Sequence, residues 1–151
     1  MEKIHSVRVL GIDFGDKRIG LAVSDKLLFT AQGIGRYVVK NRKEDKKFFQ
    51  ELVSRYDIGE IVIGFPLKMD GSEGVRAEKT REFARWLEKF LNLPIILWDE
   101  RLTTRQASRI LSQRKIKRKT KKRLKDQVSA VIILSSYLEH KRLKSDASKD
   151  H

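Results

Sequence analysis

Gly11-Ile12-Asp13-Phe14-Gly15-Asp16-Lys17-Arg18-Ile19-Gly20-Leu21-Ala22-Val23-Ser24-Asp25 sets the start of the fold. An apolar run with β-branched residues, Val7 to Asp13, meets the turn residues Gly15-Asp16-Lys17 and resumes as Arg18 to Ser24. Two such runs around a glycine turn predict a β-hairpin. Phe29 to Val39 reads as a third strand, broken by Gly33 and Gly35. After it the period changes. Phe48, Phe49, Leu52, Val53 and Tyr56 recur at helical spacing, predicting a helix from about Lys43. Glu60 to Gly64 is a short buried strand, and Phe65 to Gly74 is a loop holding Pro66 and the turn pair Asp70-Gly71. Phe83, Ala84, Leu87, Phe90 and Leu91 mark a second helix, and Pro94 to Trp98 a fifth strand. Thr103 and Gln106 form a capping box for a short helix to about Ser112. A last helix is expected from about Lys122 to Glu139, with a charged, disordered tail from Lys141 to His151. Three antiparallel-type strands followed by alternating helices and strands predict an α/β fold: a five-stranded mixed sheet with helices on both faces, one domain over residues 1–140.

Composition narrows the function. The chain has 151 residues, with 34 Lys plus Arg against 20 Asp plus Glu, a formal charge of +14, and no cysteine. Disulfides, thiolate metal sites and cysteine nucleophiles are excluded. No apolar run approaches the roughly 18 residues that span a bilayer, and Met1 to Leu10 lacks a signal-peptide core. A soluble, cytoplasmic protein without a membrane partner is expected. The positive excess is concentrated: Arg101 to Lys125 holds 12 basic residues and no acid. A solvated surface would interleave both signs. Arg114, Lys115, Lys117, Arg118, Lys119, Lys121 and Lys122 therefore read as a phosphate-binding segment, held mobile by its own repulsion until an anion neutralises it. Nucleic acid is the partner this charge predicts.

Against so basic a background, the acids that end strands stand out. Asp13 closes strand one, Asp99 and Glu100 follow strand five, and Asp126 lies near the start of the last helix. Ala130, Ile133 and Tyr137 share a helix face with Asp126. A carboxylate on an apolar face is costly unless paired or metal-bound. Ligands of α/β sheets gather at the carboxyl ends of strands, and clustered carboxylates suit Mg²⁺ or Mn²⁺. Each acid alone also has an ordinary explanation, as strand-end turn, local cap or helix N-terminal charge, and spacing does not make them converge. Asp13-Phe14-Gly15 is moreover compatible with the phosphate turn of actin-like ATPases.

Four blocks together resemble one family. Gly11 to Asp25 resembles the opening motif of the YqgF family, ribonuclease H-like proteins named as Holliday junction resolvases or pre-16S rRNA nucleases. Gly64-Phe65-Pro66-Leu67-Lys68-Met69-Asp70-Gly71-Ser72-Glu73-Gly74 resembles the second segment, and Trp98-Asp99-Glu100-Arg101-Leu102-Thr103-Thr104 the third. Asp126, Ala130-Val131-Ile132-Ile133-Leu134 and Tyr137-Leu138 resemble the closing helix, although Gln127-Val128-Ser129 stands where the family is more apolar. The resemblance implies a ribonuclease H-like sheet and a metal-dependent nuclease whose catalytic and metal-binding residues are Asp13, Glu100 and Asp126. Asp13 is expected to bridge two ions, with Glu100 and Asp126 each completing one. The expected nucleic-acid contacts are Arg18, Ser72 and Arg76, then Arg101 and Arg105 beside the acids, and the basic segment. Processing of the 5′ end of pre-16S rRNA is favoured. Junction resolution needs two active sites, hence a homodimer, whereas rRNA processing is open to a monomer. A non-catalytic binding module with the same fold is the alternative from another class.

Overall fold

The structure, a computed structural model, describes residues 7–102 and 118–149, except for the side chains of 118–127 and 147–149. Five strands form one sheet: β1 (Arg8–Asp13), β2 (Arg18–Ser24), β3 (Ala31–Val38), β4 (Ile58–Phe65) and β5 (Ile95–Asp99). Among the described residues three helices accompany them: α1 (Arg42–Arg55), α2 (Val75–Leu91) and α3 (Arg118–Lys149). The strand order is β3-β2-β1-β4-β5. The hairpin forms as expected, with β1 antiparallel to β2 and β2 antiparallel to β3. β4 then joins β1 in parallel, and β5 joins β4 in parallel. β1, β4 and β5 therefore end at the same edge of the sheet.

Alternation along the strands separates two cores. Leu10, Ile12, Ile19, Leu21, Ile61 and Ile63 pack with Phe49 and Leu52 of α1 and Phe83 and Leu87 of α2. Val9, Ala22, Val62 and Trp98 point the other way and pack with Ala130, Val131, Ile133, Leu134 and Leu138 of α3. Asn41 starts α1 by a reciprocal cap: its carboxamide oxygen accepts from the Glu44 amide at 2.9 Å, and its nitrogen donates to the Glu44 carboxylate at 2.7 Å. Gly33 and Gly35 do not break β3. They sit at a register shift opposite Leu21 and Ala22, with Gly35 at φ 114°, so the strand bulges and continues.

The end of the chain departs from expectation. α3 begins at Arg118 rather than Lys122 and runs to Lys149, so the tail expected to be disordered from Lys141 is helical that far. Two cations of that stretch hold it to the sheet side. Lys141 donates to Glu60 at 3.0 Å, and Arg142 donates to the carbonyls of Leu28 and Phe29 at 3.1 and 3.2 Å. The short helix expected from Thr103 to Ser112 lies outside the described residues.

Candidate active site

Side-chain parity brings two of the acids together. Asp13 is in phase with Val9, which packs under α3, and with Gly11, where an added Cβ would lie 2.7 Å from the Leu134 Cβ of α3. Glu100 continues the phase of Ile96 and Trp98, which also pack under α3. Both carboxylates thus reach the α3 face at the edge where the parallel strands end. There they line one cleft of about 460 Å³, with Arg18, Arg76, Trp98 and, from α3, Ser129, Ile133 and Ser136.

Gly64 makes room for Glu100. It is paired with Trp98 across β4 and β5. A Cβ at Gly64 would lie 2.6 Å from Glu100 Oε1 and would also strike Ile133 Cδ1. Glu100 is exposed along its length, but its carboxyl end lies in against Gly64 and Ile133. Burial of that end raises its pKa; the positive charge of Arg76 opposes the rise, and Asp99 adds to it. The neighbouring acid behaves oppositely. Asp99 is held below the usual carboxylate range by hydrogen bonds from Arg101. Adjacent acids with shifts of opposite sign have different tasks: Asp99 is committed to an ion pair, and Glu100 is left at the cleft.

The Arg101 fork engages Asp99 from Nε at 3.0 and 3.1 Å and from Nη2 at 2.8 Å, and Nη1 donates to the Met69 carbonyl at 3.4 Å. Arg101 therefore clasps the 67–74 loop to the end of β5 and does not line the cleft. Ser72 is also elsewhere, in that loop, its amide and hydroxyl both donating to Asp70 Oδ1. Arg18, at the start of β2, and Arg76, in the first turn of α2, are the expected cations that do line the cleft. Asp126 lies in α3, four residues before Ala130 and seven before Ile133. Its side chain lies outside the described residues, as do Arg105, Arg114, Lys115 and Lys117 and the side chains of Arg118, Lys119, Lys121 and Lys122.

Among the described residues no three His, Cys, Asp or Glu gather as a metal site. The two that share the cleft, Asp13 and Glu100, supply only oxygen donors, one with an ionisation made costly by burial, and this fits a hard divalent ion. Periodicity and motifs alone do not reveal the roles of Gly64 and Ser136. Trp98 Nε1 donates to Ser136 Oγ at 3.3 Å, and Ser136 Oγ donates to the Leu102 carbonyl at 3.1 Å. A glycine ending a buried strand was the available signal for a close approach.

Residues 7–140 match the RuvX family, described as Holliday junction resolvase. The chain belongs to this family. RuvX and YqgF are two names for it, so the resemblance seen in the sequence holds. Relatives named "Putative pre-16S rRNA nuclease" include one from Halothermothrix orenii, 46% identical over 134 residues that cover 89% of this chain and 96% of the relative. Another, from a Geobacillus species, is 44% identical and covers 90% and 100%. Among solved structures, Thermus thermophilus RuvC in complex with a Holliday junction substrate matches with a TM-score of 0.56 at 14% identity, covering 91% and 96%. The fowlpox virus resolvase with Holliday junction DNA matches with 0.56 at 14%, covering 89% and 98%. At that identity the likeness shows the fold, which is ribonuclease H-like as the RuvX motifs implied.

Proposed function

We propose that the chain is a metal-dependent endonuclease that hydrolyses phosphodiester bonds in structured nucleic acid, and that its substrate is the 5′ region of pre-16S rRNA. The observation that carries this is the cleft: Asp13 and Glu100 on one face at the ends of parallel strands, with Arg18 and Arg76 in the same lining. Asp13 and Glu100, with Asp126, would hold Mg²⁺ or Mn²⁺. When bound, the ion activates water and offsets charge on the leaving oxygen. Arg18 and Arg76 draw the phosphate in and orient it, and Arg76 favours the ionised form of Glu100. Trp98 and Ser136 keep the wall fixed. The basic segment from Arg114 to Lys122, with Arg105, adds affinity without sequence choice.

The names of the relatives favour the RNA substrate, and a cytoplasmic site of action follows from it. No helix among the described residues is long and apolar enough to cross a membrane. The family's description favours a second reading, cleavage of four-way DNA junctions, which needs a second copy for its second cut. Incubating the purified chain with Mg²⁺ or Mn²⁺ and either a pre-rRNA leader or a synthetic junction separates them. Cleavage of the leader is expected. Cleavage of the junction alone selects the second reading, and binding without cleavage of either sinks both.

A further inference from the structure

A second cavity lies on the α1 and α2 side of the β1–β2 turn. Its volume is about 420 Å³, within the range of roughly 300–1,000 Å³ that takes small organic ligands. Phe14 and Trp86 wall it, over the buried rings of Phe49 and Phe83. Lys40, Arg42 and Lys79 bring positive charge to it, against Asp16 and Glu82. Asp45 also lines it, but its carboxylate is occupied, accepting from the Tyr37 hydroxyl at 2.7 Å and the Lys40 amide at 3.0 Å.

This cavity lies next to the carboxylate cleft. Phe14 lines both. A small depression at the turn, lined by Gly15, Asp16, Arg76, Lys79 and Thr80, shares Asp16 and Lys79 with the cavity and Gly15 and Arg76 with the cleft. Arg76 and Lys79 are three residues apart on α2 and so neighbours on its surface. A strand leaving the cleft past Arg76 therefore meets Lys79, then the aromatic walls, with Arg42 beyond. The Lys79–Asp16 pair, 3.3 Å apart, is half exposed on both sides. Such pairs contribute little, so a phosphate can take the place of Asp16. Arg42 lies over Trp86, 4.5 Å from the ring centroid, and guanidinium planes stack nucleobases as aromatic rings do.

We propose that this cavity receives one unpaired nucleotide of the strand held in the cleft, its base against the Arg42 and Trp86 side and its phosphate at Lys79. The assignment rests on the nuclease reading above and adds a subsite to it. Cations along a groove that ends in aromatic surface are how single strands are held without sequence choice. A base still paired in a duplex cannot enter, so the subsite selects substrates with a single-stranded stretch beside the cleavage point.

The test compares the affinity of the Asp13→Asn chain for a blunt RNA duplex and for the same duplex with short single-stranded extensions. The unsubstituted chain in EDTA provides a second measurement that does not depend on that variant. Extensions should tighten binding about ten-fold. In a chain also carrying Arg42→Ala and Lys79→Ala, both exposed positions, the ratio should fall toward one. A ratio near one with the cavity intact, or a ratio that survives both substitutions, overturns the subsite. Cleavage with Mg²⁺ is scored separately. Cleavage with a ratio of one removes the subsite and spares the nuclease. A ten-fold ratio without any cleavage supports the cavity as a nucleic-acid site and removes the nuclease.

Discussion

On the face covered by α1 and α2, the sheet meets bulk. Phe49 is fully buried, Phe83 and Tyr37 nearly so, and their rings pack edge-on or stacked with Phe14, Phe48 and Trp86. On the face covered by α3 small residues allow close contacts: Gly11 lies under Leu134 and Gly64 under Ile133. Bulky rings hold two helices away from the sheet and fill the space between. Glycines let one helix come down onto it. The carboxylates are on the second face, where the distance from helix to strand sets where Glu100 and the α3 side chains lie. The first face carries the bulky core; the second sets where the two cleft carboxylates lie.

That division predicts opposite phenotypes. Asp13→Asn should lower cleavage by at least about three orders of magnitude, because metal ions supply several kcal/mol of transition-state stabilisation, and should leave the denaturation midpoint nearly unchanged. Phe49→Ala should cost about 3–5 kcal/mol of stability, the usual loss for a buried phenylalanine, while the fraction still folded keeps its specific activity. Denaturant unfolding and single-turnover cleavage on the same preparations measure both. A Phe49→Ala chain that is fully folded and inactive would break the comparison.

Gly64→Ala joins the two phenotypes at one residue. The new methyl would meet Ile133 and Glu100 Oε1. Overpacking of this kind costs roughly 1–3 kcal/mol, and displacing a reacting group by about 1 Å costs on the order of 100-fold in rate. A loss of activity larger than the loss of stability explains is the expected pattern. Equal loss in both would make Gly64 a packing residue only.

The sequence made the first face readable and half of the second. Apolar spacing at Phe48, Phe49, Leu52 and Val53 marked α1 because a helix that packs on a sheet must repeat its apolar face. The hairpin was legible because Gly15 closes so tightly that an added Cβ would lie 2.6 Å from the Arg18 carbonyl. Asp13 and Glu100 were legible as strand-end acids, and the parity of Val9-Gly11-Asp13 and Ile96-Trp98-Glu100 contains their common face. What periodicity does not carry is partnership between side chains. Arg101 and Arg76 look alike in the sequence, yet one turns back to Asp99 two residues away and the other reaches the cleft. Local carboxylate geometry decides this, and composition does not record it. The extent of α3 was hidden for a similar reason: Lys141 and Arg142 resemble a solvated tail until Glu60 and the Leu28 carbonyl are brought beneath them.

Glu100 sharpens the comparison through pH. Its pKa is raised by burial, so the metal-free folded chain holds that proton to a higher pH than the unfolded chain does. The stability it contributes is full below the unfolded value, roughly 4.3 for a glutamate, and is lost as pH rises through the folded value. Glu100→Gln should therefore melt at or above the parent at neutral pH without metal, and the difference should close on acidification. Adding Mg²⁺ should raise the parent's melting temperature more than the variant's. A variant less stable than the parent at neutral pH would mean that Glu100 packs as a structural residue.

The smallest expected effect lies within α3, at adjacent serines. Ser135 and Ser136 are both buried, but they differ in what their hydroxyls do. Ser136 Oγ links Trp98 to the Leu102 carbonyl. Ser135 Oγ has no hydrogen-bond partner among the described residues. Removing a bonded buried hydroxyl leaves its partners short, at about 1–3 kcal/mol, whereas removing an unpaired one relieves a desolvation penalty. Alanine is also the better helix former. Ser135→Ala should stabilise the chain by about 1 kcal/mol without changing cleavage. Ser136→Ala should destabilise it and loosen the Trp98 wall, so it should lower cleavage as well. Equal effects at the two positions would mean that α3 tolerates polar loss uniformly, and the close packing of this face would then be set by its glycines alone.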